Sequence, residues 1–271
     1  MWIDTHCHLD AHEFGGESLA VAGRAGEANV GMIVIPAVDR HNFALVARMA
    51  ADAPNASYAL GIHPIYVPQA GEDDLATLRQ AVEAALADPR FVAVGEIGLD
   101  YFIPMLCEPA MREKQEYFFR EQLRIARDFE LPVLMHVRRS QDQVLKHVRQ
   151  IRPAGGIAHA FNGSFQQAQG FIDLGFKLGF GGAMTFTRAL QIRRLAATLP
   201  LEAIVLETDA PDISPAWIHP GRNSPEYLPG IGAVLAELRA LSVAAIREAT
   251  AVNAVAAMPR LGKLFGHLKL P

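Results

Sequence analysis

Three polar residues interrupt the apolar start of the chain at two-residue intervals: Asp4, His6 and His8. In an extended strand alternate side chains point the same way, so this spacing predicts that all three project to one side. Two imidazoles projecting together can hold a metal ion, and the Asp4 carboxylate would orient one of them as a hydrogen-bond acceptor. A charge inside an apolar strand is costly unless a partner or a metal compensates it. Residues of the same chemistry recur near the ends of later apolar runs. His63 follows Tyr58–Ile62, Glu96 lies within Phe91–Asp100, His136 follows Pro132-Val-Leu-Met, His159 falls in Gly156-Ile-Ala-His, and Asp209 closes Ala203–Asp209. Carboxylates and neutral imidazoles together suit Zn²⁺, Mn²⁺ or Mg²⁺, and a carboxylate can bridge two such ions. Two ions about 3.5–4 Å apart are an arrangement that serves phosphoryl ester hydrolysis. The other histidines, His12, His41, His147, His219 and His267, lack the strand-end placement and read as solvated or structural. Cys7, between His6 and His8, faces the opposite way and reads as a packing residue.

Eight short apolar, β-branched runs must position these groups: Trp2–His8, Met32–Ala37, Tyr58–Ile62, Phe91–Ile97, Pro132–Val137, Gly156–Phe161, Phe176–Phe180 and Ala203–Asp209. Nearly continuous apolar runs are the signature of parallel strands covered on both faces. Amphipathic stretches fill the intervals at Phe43–Ala51, Leu75–Leu86, Met111–Phe129, Gln143–Ile151, Phe165–Leu174 and Ala189–Leu199, with Ser164 and Thr187 at expected N-cap positions. Strands alternating with helices in this number predict an α/β fold of the closed (β/α)₈ TIM-barrel type, whose active sites lie at the C-terminal strand ends. The segment Pro211–Pro229 reads as a long loop over the mouth, and Gly230–Leu241 and Val243–Ala257 as closing helices. The cycle occupies residues 1–271 as a single domain, closed by C-terminal helices after about residue 228, with Leu261–Pro271 as a tail.

Composition narrows the function classes. The chain has 271 residues, is 51% hydrophobic and carries a formal net charge of −4, which argues against a broadly basic nucleic-acid coat. Two cysteines make no disulfide scaffold. The first residues lack the basic start and apolar stretch of a signal peptide, and a cytoplasmic protein without a membrane segment is expected. The oligomeric state is open, with a monomer compatible with the sequence.

Thr5-His-Cys-His-Leu-Asp10, Gly61-Ile-His-Pro64, Val94-Gly-Glu-Ile-Gly-Leu-Asp100, His136, His159 and Leu206-Glu-Thr-Asp-Ala-Pro-Asp212, in this order, resemble the TatD family of metal-dependent deoxyribonucleases. The segment Ile33-Val-Ile-Pro-Ala is most similar to the YjjV-like branch. The resemblance runs from residue 2 to about residue 255 and implies a (β/α)₈ barrel of the amidohydrolase-like group. It further implies that His6, His8 and Asp209 hold one divalent ion, His136 and His159 a second, and that Glu96 bridges them. In that reading Asp209 and Glu96 are the catalytic carboxylates, and His63 lines the substrate phosphate site. Arg222 and Asn223 belong to a segment similar to the family's Arg-Asn-x-Pro loop, completed by Pro225, and would contact substrate. Arg138 and Arg139 read either as phosphate ligands or as the exposed basic start of a helix. Val137 and Asn162 stand where the family often has Ser, which bears on substrate preference and removes no implied ligand. The implied activity is exonuclease-like hydrolysis of DNA strand ends. A metal hydrolase of another ester, an amide or an aminoacyl substrate is the alternative, and a non-catalytic metal-binding barrel a further one.

Overall fold

The computed structural model describes residues 1–265. Its centre is an eight-stranded parallel sheet in sequential order: β1 (Trp2–Asp4), β2 (Val30–Pro36), β3 (Ala56–Leu60), β4 (Phe91–Asp100), β5 (Val133–Arg138), β6 (Gly156–Ala158), β7 (Phe176–Phe180) and β8 (Ile204–Leu206). Each strand pairs in parallel with the next. The first and last strands meet through backbone bonds that extend past their ladders. Thr5 N–H donates to Leu206 O (3.1 Å), Asp209 N–H to His6 O (2.8 Å) and His8 N–H to Ala210 O (2.8 Å). The barrel therefore closes where the first histidine pair and the last aspartate must meet.

The helices are α1 (Ser18–Glu27), α2 (Phe43–Asp52), α3 (Glu72–Ala85), α4 (Pro109–Asp128), α5 (Gln141–Ile151), α6 (Phe165–Ile172), α7 (Leu190–Thr198), α8 (Leu228–Arg239), α9 (Val243–Ala257) and α10 (Pro259–Leu264). Their apolar faces bury against the outside of the barrel: Val46 and Ala50 on α2, Leu78 and Val82 on α3, Phe119 and Leu123 on α4. A separate buried cluster unites Ile3, Val34, Ala59, Val92, Leu134, Ile157 and Val205 from the strands with Met258, Leu261 and Phe265. Arg260 ties this end down, donating to the carbonyls of Leu86, Asp88 and Phe91 at the start of β4. The C-terminal segment thus seals the base of the barrel, and the opposite end is left for chemistry.

The eight strands and their order match the expectation, with differences at the ends. β1, β6 and β8 stop short of His6, His8, His159 and Asp209. Ala160 and Asp209 take left-handed backbone angles (φ 44° and 55°), which break the ladder and turn the side chains beside them into the mouth. β4 instead runs through to Asp100, and all ten of its residues are buried. Gly98 allows this: its φ is 149°, and a Cβ there would lie 2.0 Å from the carbonyl oxygen of His136. Helix α1 has no counterpart among the expected helices, because its buried residues are Val21 and two alanines, too small to make a visible apolar stripe. Ser164 caps α6 as expected, accepting from Gln167 N–H at 3.1 Å. Thr187 does not cap α7, whose first turn follows Ala189 without a side-chain cap. The mouth loop is irregular from Pro211 to Ser224 and then enters a short 3₁₀ turn and α8. Cys7 is fully buried in the core. Of the expected tail, Leu261–Leu264 falls in α10, whereas residues 266–271, with His267, lie outside the described residues. Among the described residues no single helix is long and apolar enough to cross a membrane.

Candidate metal centre

Glu96, from the middle of β4, is buried and presents its two carboxylate oxygens to five imidazoles. Oε1 lies 2.9 Å from His159 Nε2, 3.2 Å from His136 Nδ1 and 3.3 Å from His63 Nε2. Oε2 lies 3.2 Å from His6 Nε2 and 3.3 Å from His8 Nε2. Asp209 completes one side, with Oδ1 3.7 Å from His6 Nε2 and 3.8 Å from His8 Nε2. All seven residues converge at the C-terminal strand ends, and all but the fully buried His6 line a cavity of about 1120 Å³.

Three overlapping ligand groups emerge: His6–His8–Asp209, His6–Glu96–His159 and His63–Glu96–His136. Hydrogen bonding decides which nitrogens can serve as ligands. His63 Nδ1 accepts the N–H of Ile65 at 3.1 Å, so in the neutral ring the proton sits on Nε2. Burial lowers the His63 pKa to about 4, which keeps the ring neutral near pH 7. His63 therefore points an N–H donor, not a lone pair, into the cavity. His136 is the reverse case. Its Nε2 meets Asp100 Oδ2 at 3.0 Å, a carboxylate that also accepts the N–H groups of Phe102 and Ile103. That contact places the proton on Nε2 and frees Nδ1 toward Glu96 and His159. Despite burial, the His136 contact holds Asp100 down to about 2, so the carboxylate stays charged.

The electrostatics suit a cation. Burial alone would raise the Glu96 pKa, yet the surrounding imidazoles hold it well below the ordinary carboxylate range. Burial pushes His6 down to about 3. His8 and His159 rise despite burial because Glu96 faces them, His8 to about 9. Burial raises Asp209 to about 6, against the pull of His159 and His8. Nitrogen pairs such as His6 Nε2 and His8 Nε2, 3.3 Å apart, cannot both present lone pairs without a proton or a cation between them. Nitrogen and carboxylate donors at one buried point fit a divalent cation, whose binding would displace the protons held by His8 and His159.

Asp4 has a different role from the one its spacing predicts. It is buried, and its carboxyl accepts Thr208 N–H (2.9 Å), Thr208 O–H (2.6 Å) and the backbone N–H of His6 (3.3 Å), not an imidazole. It pins β1 to the segment carrying Asp209. Burial raises its pKa to about 8, ahead of the opposing Thr208 bonds. A raised carboxyl pKa adds stability that is full below its ordinary value and is lost as pH rises through about 8. In chelator-treated protein the melting temperature should carry a fall between about pH 4 and 8, and Asp4→Asn should flatten that fall. His8 adds a loss of the same sign as pH passes about 9, because its raised pKa marks an ion pair with Glu96. An Asp4→Asn slope identical to wild type below pH 6.5, where His8 contributes nothing, would exclude the Asp4 contribution.

The remaining expected contacts divide. Arg138 and Arg139 line the cavity with exposed side chains, their guanidinium carbons 3.8 and 4.7 Å from the Phe102 ring centroid. Asn223 does not reach the cavity. It is buried, donates to the carbonyls of Thr208 and Asp212, and accepts from Ser224 N–H, so it fixes the loop behind Asp209 instead of touching substrate. Arg222 donates to Glu13 O at 2.7 Å and stacks over Phe14, and it lines an adjoining side cavity. His147 is structural, as expected, bonded to Glu116 at 2.8 Å.

Four positioning residues escape the sequence reading. Asp100 lies 36 positions before the histidine it orients. Glu207 is buried, accepts Ala160 N–H and stands 3.7 Å from His159 Nδ1. Gln115 and Gln122 point from α4 to the strand ends. Gln115 accepts Asp100 N–H, and Gln122 brackets Ile62 with bonds to its N–H and carbonyl beside His63. Their seven-residue spacing on one helix face was a signal that two buried amides share a task.

A sequence profile of the family described as TatD related DNase matches residues 3–258. The uncharacterized metal-dependent hydrolase YjjV of Escherichia coli K12 is 41% identical over 239 residues, which cover 88% of this chain and 90% of that protein. An uncharacterized metal-dependent hydrolase of Haemophilus influenzae is 38% identical, over 93% of this chain and 97% of that one. The crystal structure of YjjV, a TatD homolog, superposes with a TM-score of 0.89 at 39% identity, covering 95% of this chain and 98% of the other.

Proposed function

The chain belongs to the TatD-related DNase family of metal-dependent hydrolases, and from that premise we propose that it hydrolyses phosphodiester bonds at the ends of DNA strands with two divalent cations. The observation that carries this reading is Glu96, with three imidazoles at one carboxylate oxygen and two at the other. A carboxylate so divided would bridge two cation positions. His6, His8 and Asp209 would hold the ion on one side, His136 and His159 the ion on the other. Bound cations supply charge stabilisation for a phosphoryl oxygen and a nucleophile available at neutral pH.

The chain's own groups do the rest. His63 donates its Nε2–H toward a non-bridging phosphate oxygen and does so as a neutral ring down to about pH 4. Arg138 and Arg139, held against Phe102, meet the anionic backbone at the rim. Asp209, with its raised pKa, accepts a proton from the attacking water and returns it to the leaving oxygen. An acidic chain accommodates this, because Arg138 and Arg139 stand at the opening itself. The protein is expected to act in the cytoplasm.

The test is shortening of end-labelled single-stranded DNA by purified protein supplied with Mn²⁺, Mg²⁺ or Zn²⁺. Activity should vanish with chelator and return with the ion. A protein that leaves DNA intact but turns over an ester, amide or aminoacyl substrate with the same metal requirement would move the substrate and keep the centre.

A further inference from the structure

Beside the metal cavity lies a second one, of about 960 Å³, bounded by the turn after β7 and the loop 211–222. The two share Glu13, Ala183, Pro211, Asp212 and Ile213, so they adjoin along a boundary that includes Pro211, two residues past Asp209. The volume is in the range of sites that take small ligands, about 300–1,000 Å³. Its outer part contains no donor of the metal cluster, so the hydrolytic centre leaves it unexplained.

The walls carry a recognisable chemistry. Phe186 is half-buried, and the His219 ring meets it edge-on, centroids 5.4 Å apart at 83°. The Arg188 guanidinium lies over the Phe186 ring in a cation–π contact, 5.5 Å from its centroid, and Ser214 Oγ approaches His219 Nδ1 at 3.4 Å. Two rings at right angles form a corner that offers one flat face and one edge to a planar ligand. Arg188 and Arg222 are offset by Glu13 and Asp212, so the cavity is a π surface with mixed charges and not an anion trap. The loop is anchored. Ala216 N–H donates to Thr185 Oγ1 at 2.8 Å, Asn223 holds the Asp212 carbonyl at 2.8 Å, and Arg222 holds Glu13 O.

We propose that this side cavity is a nucleobase subsite, which stacks the base of the nucleotide adjoining the scissile phosphate on Phe186 in the corner closed by His219. The inference rests on the phosphodiesterase reading and deepens it. A strand end then spans both cavities, its phosphate at the metal centre and its neighbouring base on the ring. Every base has a π face, so the subsite favours nucleotides over simple diesters without selecting sequence.

The test compares cleavage of an intact single-stranded oligodeoxynucleotide with one of equal length carrying abasic residues next to both termini. Wild type should favour the intact strand by about tenfold in kcat/KM, as expected for one stacked base. Phe186→Leu should erase that preference, and Phe186→Trp should keep it. Equal rates on both strands in wild type, or an equal fall on both in Phe186→Leu, overturns the subsite while leaving the nuclease reading intact. Wild type that cleaves neither strand, yet hydrolyses a small chromogenic diester with added metal, overturns the DNA reading and the subsite with it.

Discussion

Glu96→Gln should lower kcat/KM by at least about 10³-fold on any substrate the centre hydrolyses, and should loosen cation binding to both halves of the site. The change keeps volume and removes one negative charge, so the loss measures charge and ligation more than packing. A 10³-fold fall corresponds to about 4 kcal/mol of transition-state stabilisation, the scale of a preorganised electrostatic group in a water-poor site. The neighbours amplify it. Five imidazoles face the carboxylate within 3.3 Å, and without its charge His8 and His159 lose the attraction that keeps them protonated in the cation-free state. Calorimetry with Mn²⁺ should show weakened binding with fewer protons released. Stoichiometry distinguishes the readings: loss of affinity in one half only would show that Glu96 is a ligand of a single ion and not a bridge.

The centre was legible because polar groups in apolar strands cannot hide. Imidazoles and carboxylates at strand ends stand out against Val, Ile and Leu, and the fold brings consecutive strand ends to one rim. Their positions are therefore largely fixed by strand order, which alternation of apolar runs with helices reveals. What the sequence did not reveal depends on distances across elements. Asp100 belongs to β4 by pattern, but its task follows from where His136 Nε2 points on β5. Gln115 and Gln122 act from a helix whose apolar stripe conceals two buried amides. Asp4 illustrates a limit of periodicity: its strand ends at that residue, so the two-residue rule no longer governs His6 and His8, and the carboxyl turns to Thr208. The Arg222–Asn223 segment shows the same for loops, since residue order says nothing of which side chain anchors the loop and which faces solvent.

Asp209→Asn should separate proton transfer from ligation. The side chain sits on a left-handed residue, with its backbone N–H tied to His6 O and the loop behind it tied by Asn223, so an isosteric amide keeps the geometry. Such strain at a non-glycine residue persists only where the surroundings hold it. A group that accepts and returns a proton is worth about 10²–10⁴-fold, and kcat should fall by that factor with KM little changed. The pH profile gives the sign. Asp209 must be ionised to accept a proton, so wild-type kcat/KM should rise with pH along an acid limb. Burial places its pKa at about 6 in the cation-free cluster, and added positive charge moves it down, so the limb should lie at or below pH 6. In Asp209→Asn this limb should disappear, leaving a slow rate set by the remaining groups. If added metal instead restores wild-type kcat with an unchanged limb, Asp209 serves only to hold the ion, and the proton must leave to solvent.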